Sequence, residues 1–238
     1  MAFNQAFEEF GLAYRWDEEV YGRLLRITGG QARLQAYLGE QGMPEAERDE
    51  LVPALHRRKT AILSEMVAGG LVAVRPGVER LLDQLGRQGC RLAVATTGSR
   101  GWVEALLVHL LPGVAFEVVV TGDEVAARKP DPEAFAVAVE RLGVEVGAAV
   151  AVEDSAEGLT AAKAAGLACV VVTNGYTAEH DLGTADLVLD GFGGPGSPAA
   201  VTADPLDVDC GGVVDVEALE RLLERIRAHA GGPTQSDQ

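Results

Sequence analysis

The sequence predicts an α/β protein in which a wholly helical first region is followed by a core of parallel strands joined by crossover helices. Three observations point to this. Up to about residue 70 the apolar residues recur only at helical spacing. From Arg75-Pro76-Gly77 onward, short apolar runs alternate with helical segments. Those runs are continuously apolar and rich in Val and Ala, as expected of strands covered on both faces.

The elements follow in order. Phe3, Phe7 and Phe10 share one face of a first helix, with Asn4 as a late cap. Asp17 caps a second segment burying Val20, Leu24 and Ile27, and Thr28-Gly29-Gly30 stops it. Leu34 and Leu38 mark a short piece. Pro44 then opens a long helix with Leu51, Leu55, Ile62 and Met66 on one face, ended by Gly69-Gly70. Residues 1–74 therefore read as a helical domain and 75–238 as the α/β core. In the core, Val78, Leu81, Leu82 and Leu85 give a helix, residues 92–95 a strand, 102–110 a helix and 116–120 a second strand. Phe135, Ala138, Val139 and Leu142 repeat the helical spacing. Strands follow at 149–152, 168–172 and 187–189, with an Ala-rich helix between the first two. Residues 191–212 form an acidic, Gly/Pro-rich loop, 215–229 a last helix, and the end is a polar tail.

Composition excludes several classes. A chain of 238 residues, 47% hydrophobic and 24% charged, is neither disordered nor a disulfide-stapled miniprotein. Its net charge of −16 opposes binding to nucleic acid or an anionic membrane surface, so neither is an expected partner. An anionic substrate would need local positive charge from a metal, Lys or Arg. Cys90, Cys169 and Cys210 are odd in number and lack C-x-x-C spacing, which fits a reducing compartment; with no export signal, a cytoplasmic location is expected. Oligomeric state is not legible.

In open parallel sheets ligands bind beyond the carboxyl ends of the strands, so the polar residues there are the candidates. Thr96 and Thr97 follow the first core strand, Lys129-Pro130 the second and Glu153-Asp154-Ser155 the third. Singly, these read as a cap, a surface turn and a solvated helix start. Together they bring a hydroxyl, an ammonium and a carboxylate pair to one sheet edge. Carboxylates with waters and phosphate suit Mg²⁺, and a fixed ammonium and hydroxyl orient the oxygens of a transferring phosphoryl group.

These strings, Val94-Ala95-Thr96-Thr97, Arg128-Lys129-Pro130-Asp131-Pro132 and Val152-Glu153-Asp154-Ser155 with Gly158, resemble the haloacid dehalogenase-like superfamily. Within it the chain is similar to the CbbY-like sugar-phosphatase group, related to beta-phosphoglucomutases. Arg75-Pro76-Gly77 matches the return from a helical cap, and Ala2-Phe3-Asn4 with Phe7 and Gly11-Leu12 matches the first cap helix. The resemblance implies a Rossmann-like core with a helical cap, and a Mg²⁺-dependent phosphatase of small phosphorylated sugars working through an aspartyl-phosphate. It implies that Thr96 contacts the phosphoryl group, that Lys129 holds charge, and that Asp154, helped by Glu153, ligates Mg²⁺. By the same resemblance Thr97, Thr28, Gly29, Gly30 and Arg33 bind substrate.

Two departures stand out. Gln31 replaces a Lys usual in the group, which weighs against a bisphosphate substrate. The D-x-D-G-[TV] motif, which carries the nucleophile and acid at the end of the first core strand, does not occur in the sequence. The expectation is a core without that strand, and a reading frame extending upstream to the motif roughly fifteen residues before Met1. A phosphomutase and an inactive phosphate- or metal-binding protein are the rival functions. Asp207-Val208-Asp209-Cys210-Gly211 is read as a solvated loop, Gly191, Gly193 and Gly196 as a chance G-x-G-x-x-G, and His56, His109, His180 and His229 as surface or packing residues.

Overall fold

The computed structural model describes residues 2–230; Met1 and the polar tail from 231 lie outside the described residues. The chain divides into two units, one of residues 1–73 and 97–112, the other of 74–96 and 113–238.

The regular elements of the first unit's described residues are all helices, beginning with α1 (Ala2–Glu9), α2 (Glu18–Leu25), α3 (Gly30–Glu40) and α4 (Glu45–Ala68). Phe3 and Phe7 are buried on α1, whereas Phe10 lies beyond its end and is exposed. An aromatic cluster fills the centre, with Trp16 4.4 Å from Phe3, 5.4 Å from Phe7 and 5.2 Å from Tyr37 between ring centroids. Asn4 is not a cap. Its side chain accepts from the Trp16 N–H and donates to the Trp16 carbonyl, both at 2.8 Å, because the segment that places Trp16 in the core has no helical partners of its own. Asp17 does cap α2, accepting from Val20 N at 2.8 Å.

The second unit holds α5 (Val78–Arg87) and β1 (Ala93–Ala95). The chain then enters the first unit for α6 (Arg100–Leu110) and returns to the second with β2 (Val118–Val120), α7 (Glu133–Leu142), β3 (Val150–Glu153), α8 (Ala156–Ala164), β4 (Ala168–Val172), β5 (Leu187–Leu189), β6 (Val201–Ala203) and α9 (Val216–Ala230). The arrangement of these elements differs from the sequence reading in two respects. Residues 97–112 cluster with the first unit, because α6 packs on α4. The acidic loop at 191–212 contains β6, antiparallel to β5; all three of its residues are exposed, so it has none of the apolar signal of a buried strand.

β1 and β2 form one parallel ladder; β3, β4 and β5, also parallel, form another that β6 extends. Among the described residues no strand joins β1 to β3. α5 and α9 cover one face of the second ladder, with Leu81, Leu219 and Leu222 packed on Val170, Leu187 and Leu189. Val208 and Cys210 are buried in that cluster, so the Asp207–Gly211 string is an anchored loop rather than a solvated one. Asp204 fixes it, accepting from Val208 N at 2.9 Å and Asp209 N at 3.0 Å.

Candidate active site

Lys129 ties the two ladders together at their carboxyl ends. Its Nζ donates to the Ala95 carbonyl at the end of β1, at 2.9 Å, and pairs with Glu153 Oε1 at the end of β3. The Phe135 ring lies 4.4 Å from the same ammonium. The Lys129–Pro130 peptide is cis. The loop carrying Lys129 is held by Glu133, whose Oε2 accepts from Ala127 N at 2.7 Å. The backbone N–H groups of Ala127 and Ala126 hold the Glu133 carboxyl below its usual range.

Glu153 and Asp154 are adjacent in sequence but differ in environment. Glu153 is turned in: its side chain is 9% exposed, and its Oε2 accepts from Asp154 N at 3.3 Å. Burial raises its pKa, with Lys129 acting in the opposite sense. Gly158 makes room for this carboxylate, since a Cβ there would fall 1.9 Å from Glu153 Oε2. Asp154 is exposed, and its Oδ2 accepts from Asn174 Nδ2 at 3.3 Å. Ser155 caps α8, accepting from Gly158 N at 3.2 Å, and His180 Nδ1 accepts from Ala156 N at 3.2 Å.

Among the described residues no three His, Cys, Asp or Glu side chains gather around one point. The donors present are all oxygens, which suits a hard cation. Asp154, exposed and bonded only to one neutral amide, fits as its ligand. Glu153, held by Lys129, fits as a contributor through water. A cation here would complete its shell with water and phosphate oxygens.

Of the other expected site residues, Thr96 sits directly after β1, half-buried, its N–H donating to the Val120 carbonyl at 3.0 Å. Thr96, Lys129, Glu153 and Asp154 thus belong to the second unit, and Thr97 begins the 97–112 segment of the first. Thr28, Gly29, Gly30 and Arg33 also lie in the first unit. Thr28 is half-buried between α2 and α3, and Gly29, at φ 95°, is the N-cap of α3. At Gly30 a Cβ would come within 2.6 Å of His56 Nε2. Arg33 is partly buried and committed to its own unit, donating from Nε to the Leu24 carbonyl at 2.9 Å and from an Nη to that of Ile27 at 3.2 Å.

Sequence reasoning missed Asn174 and the role of His180. Asn174 follows β4 as Asp154 follows β3, so the strand-end rule that found the others applies to it equally.

This edge, on this fold, defines the class. The profile of the haloacid dehalogenase-like hydrolase family matches residues 1–166, and the chain belongs to that family. Among its relatives is the CBBY-like protein of Arabidopsis thaliana, 42% identical over 203 residues, covering 82% of this chain and 64% of that protein, less than two thirds of its length. Protein CbbY of Rhodobacter capsulatus is 39% identical over 188 residues, covering 78% of this chain and 82% of that protein. The crystal structure of CbbY from Rhodobacter sphaeroides in complex with phosphate matches with a TM-score of 0.71 at 39% identity, over 80% of this chain and 85% of that one. A mutant of that protein has been solved with xylulose-(1,5)bisphosphate.

Proposed function

We propose that the chain is the phosphate-handling body of a phosphatase for small phosphorylated sugars, dependent on Mg²⁺ and working through an aspartyl-phosphate. The observation that carries this reading is the fixed ammonium of Lys129, held between a β1 carbonyl and Glu153 with the open carboxylate of Asp154 next in sequence. Lys129 holds a positive charge where phosphate oxygens would lie, in a protein whose overall charge of −16 would otherwise repel them. Thr96 offers its hydroxyl to the phosphoryl group. Glu153 keeps Lys129 in position. Asp154 would hold Mg²⁺, which when bound supplies Lewis-acid neutralisation of the phosphate. The relatives named CbbY, one solved with phosphate and with a sugar bisphosphate, support the substrate class.

The test is phosphate release from sugar mono- and bisphosphates with and without Mg²⁺. It is run on the 238-residue chain and on a form to which a first core strand carrying a D-x-D-G-[TV] motif has been added. Mg²⁺-dependent turnover in the form that carries a D-x-D-G-[TV] motif is expected, reduced far more by Asp154→Asn than by Glu153→Gln. A form that carries the motif, folds and releases no phosphate would overturn the reading.

A further inference from the structure

Beside the first turn of α5 the second unit carries an open pocket of about 520 Å³, within the roughly 300–1,000 Å³ usual for small-molecule sites. Arg75, Gly77 and Arg80 line one side, and the glycine-rich loop carrying Phe192 and Ser197 lines the other. The Arg80 guanidinium donates to the carbonyls of Phe192 and Gly193, each at 3.2 Å, of Val214 at 2.9 Å, and to Gln84 Oε1 at 3.0 Å. Its Nε is buried with no partner. Arg75 donates to the Val172 and Thr173 carbonyls at 3.0 and 2.6 Å, and at 3.5 Å to the carbonyl of Asp190, while its guanidinium lies 5.6 Å from the centre of the Phe192 ring.

All of these acceptors are neutral oxygens, so among the described residues two guanidinium groups line one pocket without a carboxylate bonded to either. In a chain with 36 acidic and 20 basic residues that is an unusual allocation. One carboxylate lines the wall, that of Asp190, and its Oδ1 accepts from Ala200 N at 2.8 Å. The N-terminus of α5, whose N-cap Gly77 makes no side-chain bond, adds positive potential that Glu79 in the same turn offsets in part.

The loop is also fixed in shape. A Cβ at Gly77 would fall 2.7 Å from Phe192 Cβ, one at Gly193 1.9 Å from the Gly212 carbonyl oxygen, and one at Gly212 2.3 Å from that of Ala199. Such backbone-to-backbone approach leaves the pocket preformed.

We propose that this pocket binds a small organic oxyanion, a phosphate ester or carboxylate of sugar size, on residues other than those of the Lys129 edge. The inference does not rest on the phosphatase reading. Ser197 lies exposed on the rim, so its substitution changes the charge at the mouth without touching the core.

The test is calorimetric titration of the chain with inorganic phosphate and, separately, citrate at low salt, on wild type, Ser197→Glu, Ser197→Arg and the charge control Gln88→Glu, exposed at the opposite end of α5 from Gly77. Binding of at least one probe is expected. It should weaken at least tenfold in Ser197→Glu, tighten in Ser197→Arg and stay unchanged in Gln88→Glu, with all four proteins melting alike. The probe that binds tells phosphate from carboxylate. A crystal soaked in tungstate should show density between Arg75, Arg80 and Ser197. Binding of neither probe, equal responses to the two Ser197 changes, or tungstate only at Lys129 would each overturn the proposal. None of these outcomes decides whether the Lys129 edge hydrolyses phosphate.

Discussion

Lys129 and Glu153 offer the sharpest test of the site, because each is largely withdrawn from water, 12% and 9% exposed at the side chain. Removing one member of a buried pair strands the other, a loss of about 3–5 kcal/mol, whereas removing both leaves no unpaired charge. Lys129→Met should therefore destabilise strongly, Glu153→Gln less, since a glutamine oxygen still accepts from the ammonium. The double change should recover a coupling of about 1.5–3 kcal/mol. The pH dependence has a definite sign. Burial raises the Glu153 pKa, with Lys129 opposing the rise, so removal of Lys129 raises it further. A carboxyl with a raised folded pKa holds its proton more tightly when folded. Its contribution is fully present below the unfolded pKa and is lost as pH rises through the folded one. The Lys129→Met loss should thus be smallest at acid pH, where the carboxyl is protonated in both states, and grow toward alkaline pH. Urea unfolding followed by circular dichroism across that range measures both quantities. A coupling below about 0.5 kcal/mol, or a Lys129→Met loss independent of pH, would refute the buried-pair argument.

Gly158→Ala should cost about 1–3 kcal/mol by pushing Glu153 off Lys129, while Gly101→Ala, in open space on α6, should stabilise by about 0.5–1 kcal/mol; thermal melts of the two give opposite shifts. Asn174→Ala should lower stability by only about 0.5–1.5 kcal/mol, the bond its Oδ1 accepts from Tyr176 N, and alter Mg²⁺ affinity, read by titration, because its Nδ2 donates to the exposed carboxylate of Asp154. Arg33→Ala should lower stability by about 1–3 kcal/mol through the carbonyls of Leu24 and Ile27. If Arg33 also meets substrate, KM for a sugar phosphate rises more than KM for an aryl phosphate; equal changes would confine it to the structural role.

The strands at 168–172 and 187–189 were legible to the residue, because a strand covered on both faces has to be apolar throughout. β6 was not, since Val201–Ala203 is an exposed edge and burial leaves no mark on it. The helix at 100–110 was legible as a helix but not its partner: periodicity says which face is apolar, not what covers it. The same limit divides the site residues. Lys129, Glu153 and Asp154 could be found because strand ends are fixed by the strands themselves. The engagement of Arg33 could not, because its partners are backbone carbonyls, and sequence does not state where those point. Gly158 belongs to a recognisable motif, yet its purpose depends on the rotamer of Glu153, known only once the carboxylate is placed.

The pairing of Glu153 with Asp154 shows how two neighbouring carboxylates come to differ without any difference in intrinsic chemistry. Side chains alternate across a strand, so the last residue of β3 and the one after it leave the strand on different sides. Glu153 meets Lys129 and the space left by Gly158, while Asp154 meets solvent and the Asn174 amide. A buried carboxylate bonded to an ammonium is a poor ligand for a cation, because binding one would mean giving up the ion pair. An exposed carboxylate with one weak neutral partner gives up little. The two roles, holding Lys129 and offering a ligand, are therefore assigned by strand parity, and exchanging Glu and Asp at these positions would shorten the inward arm by one methylene and break the first role before the second.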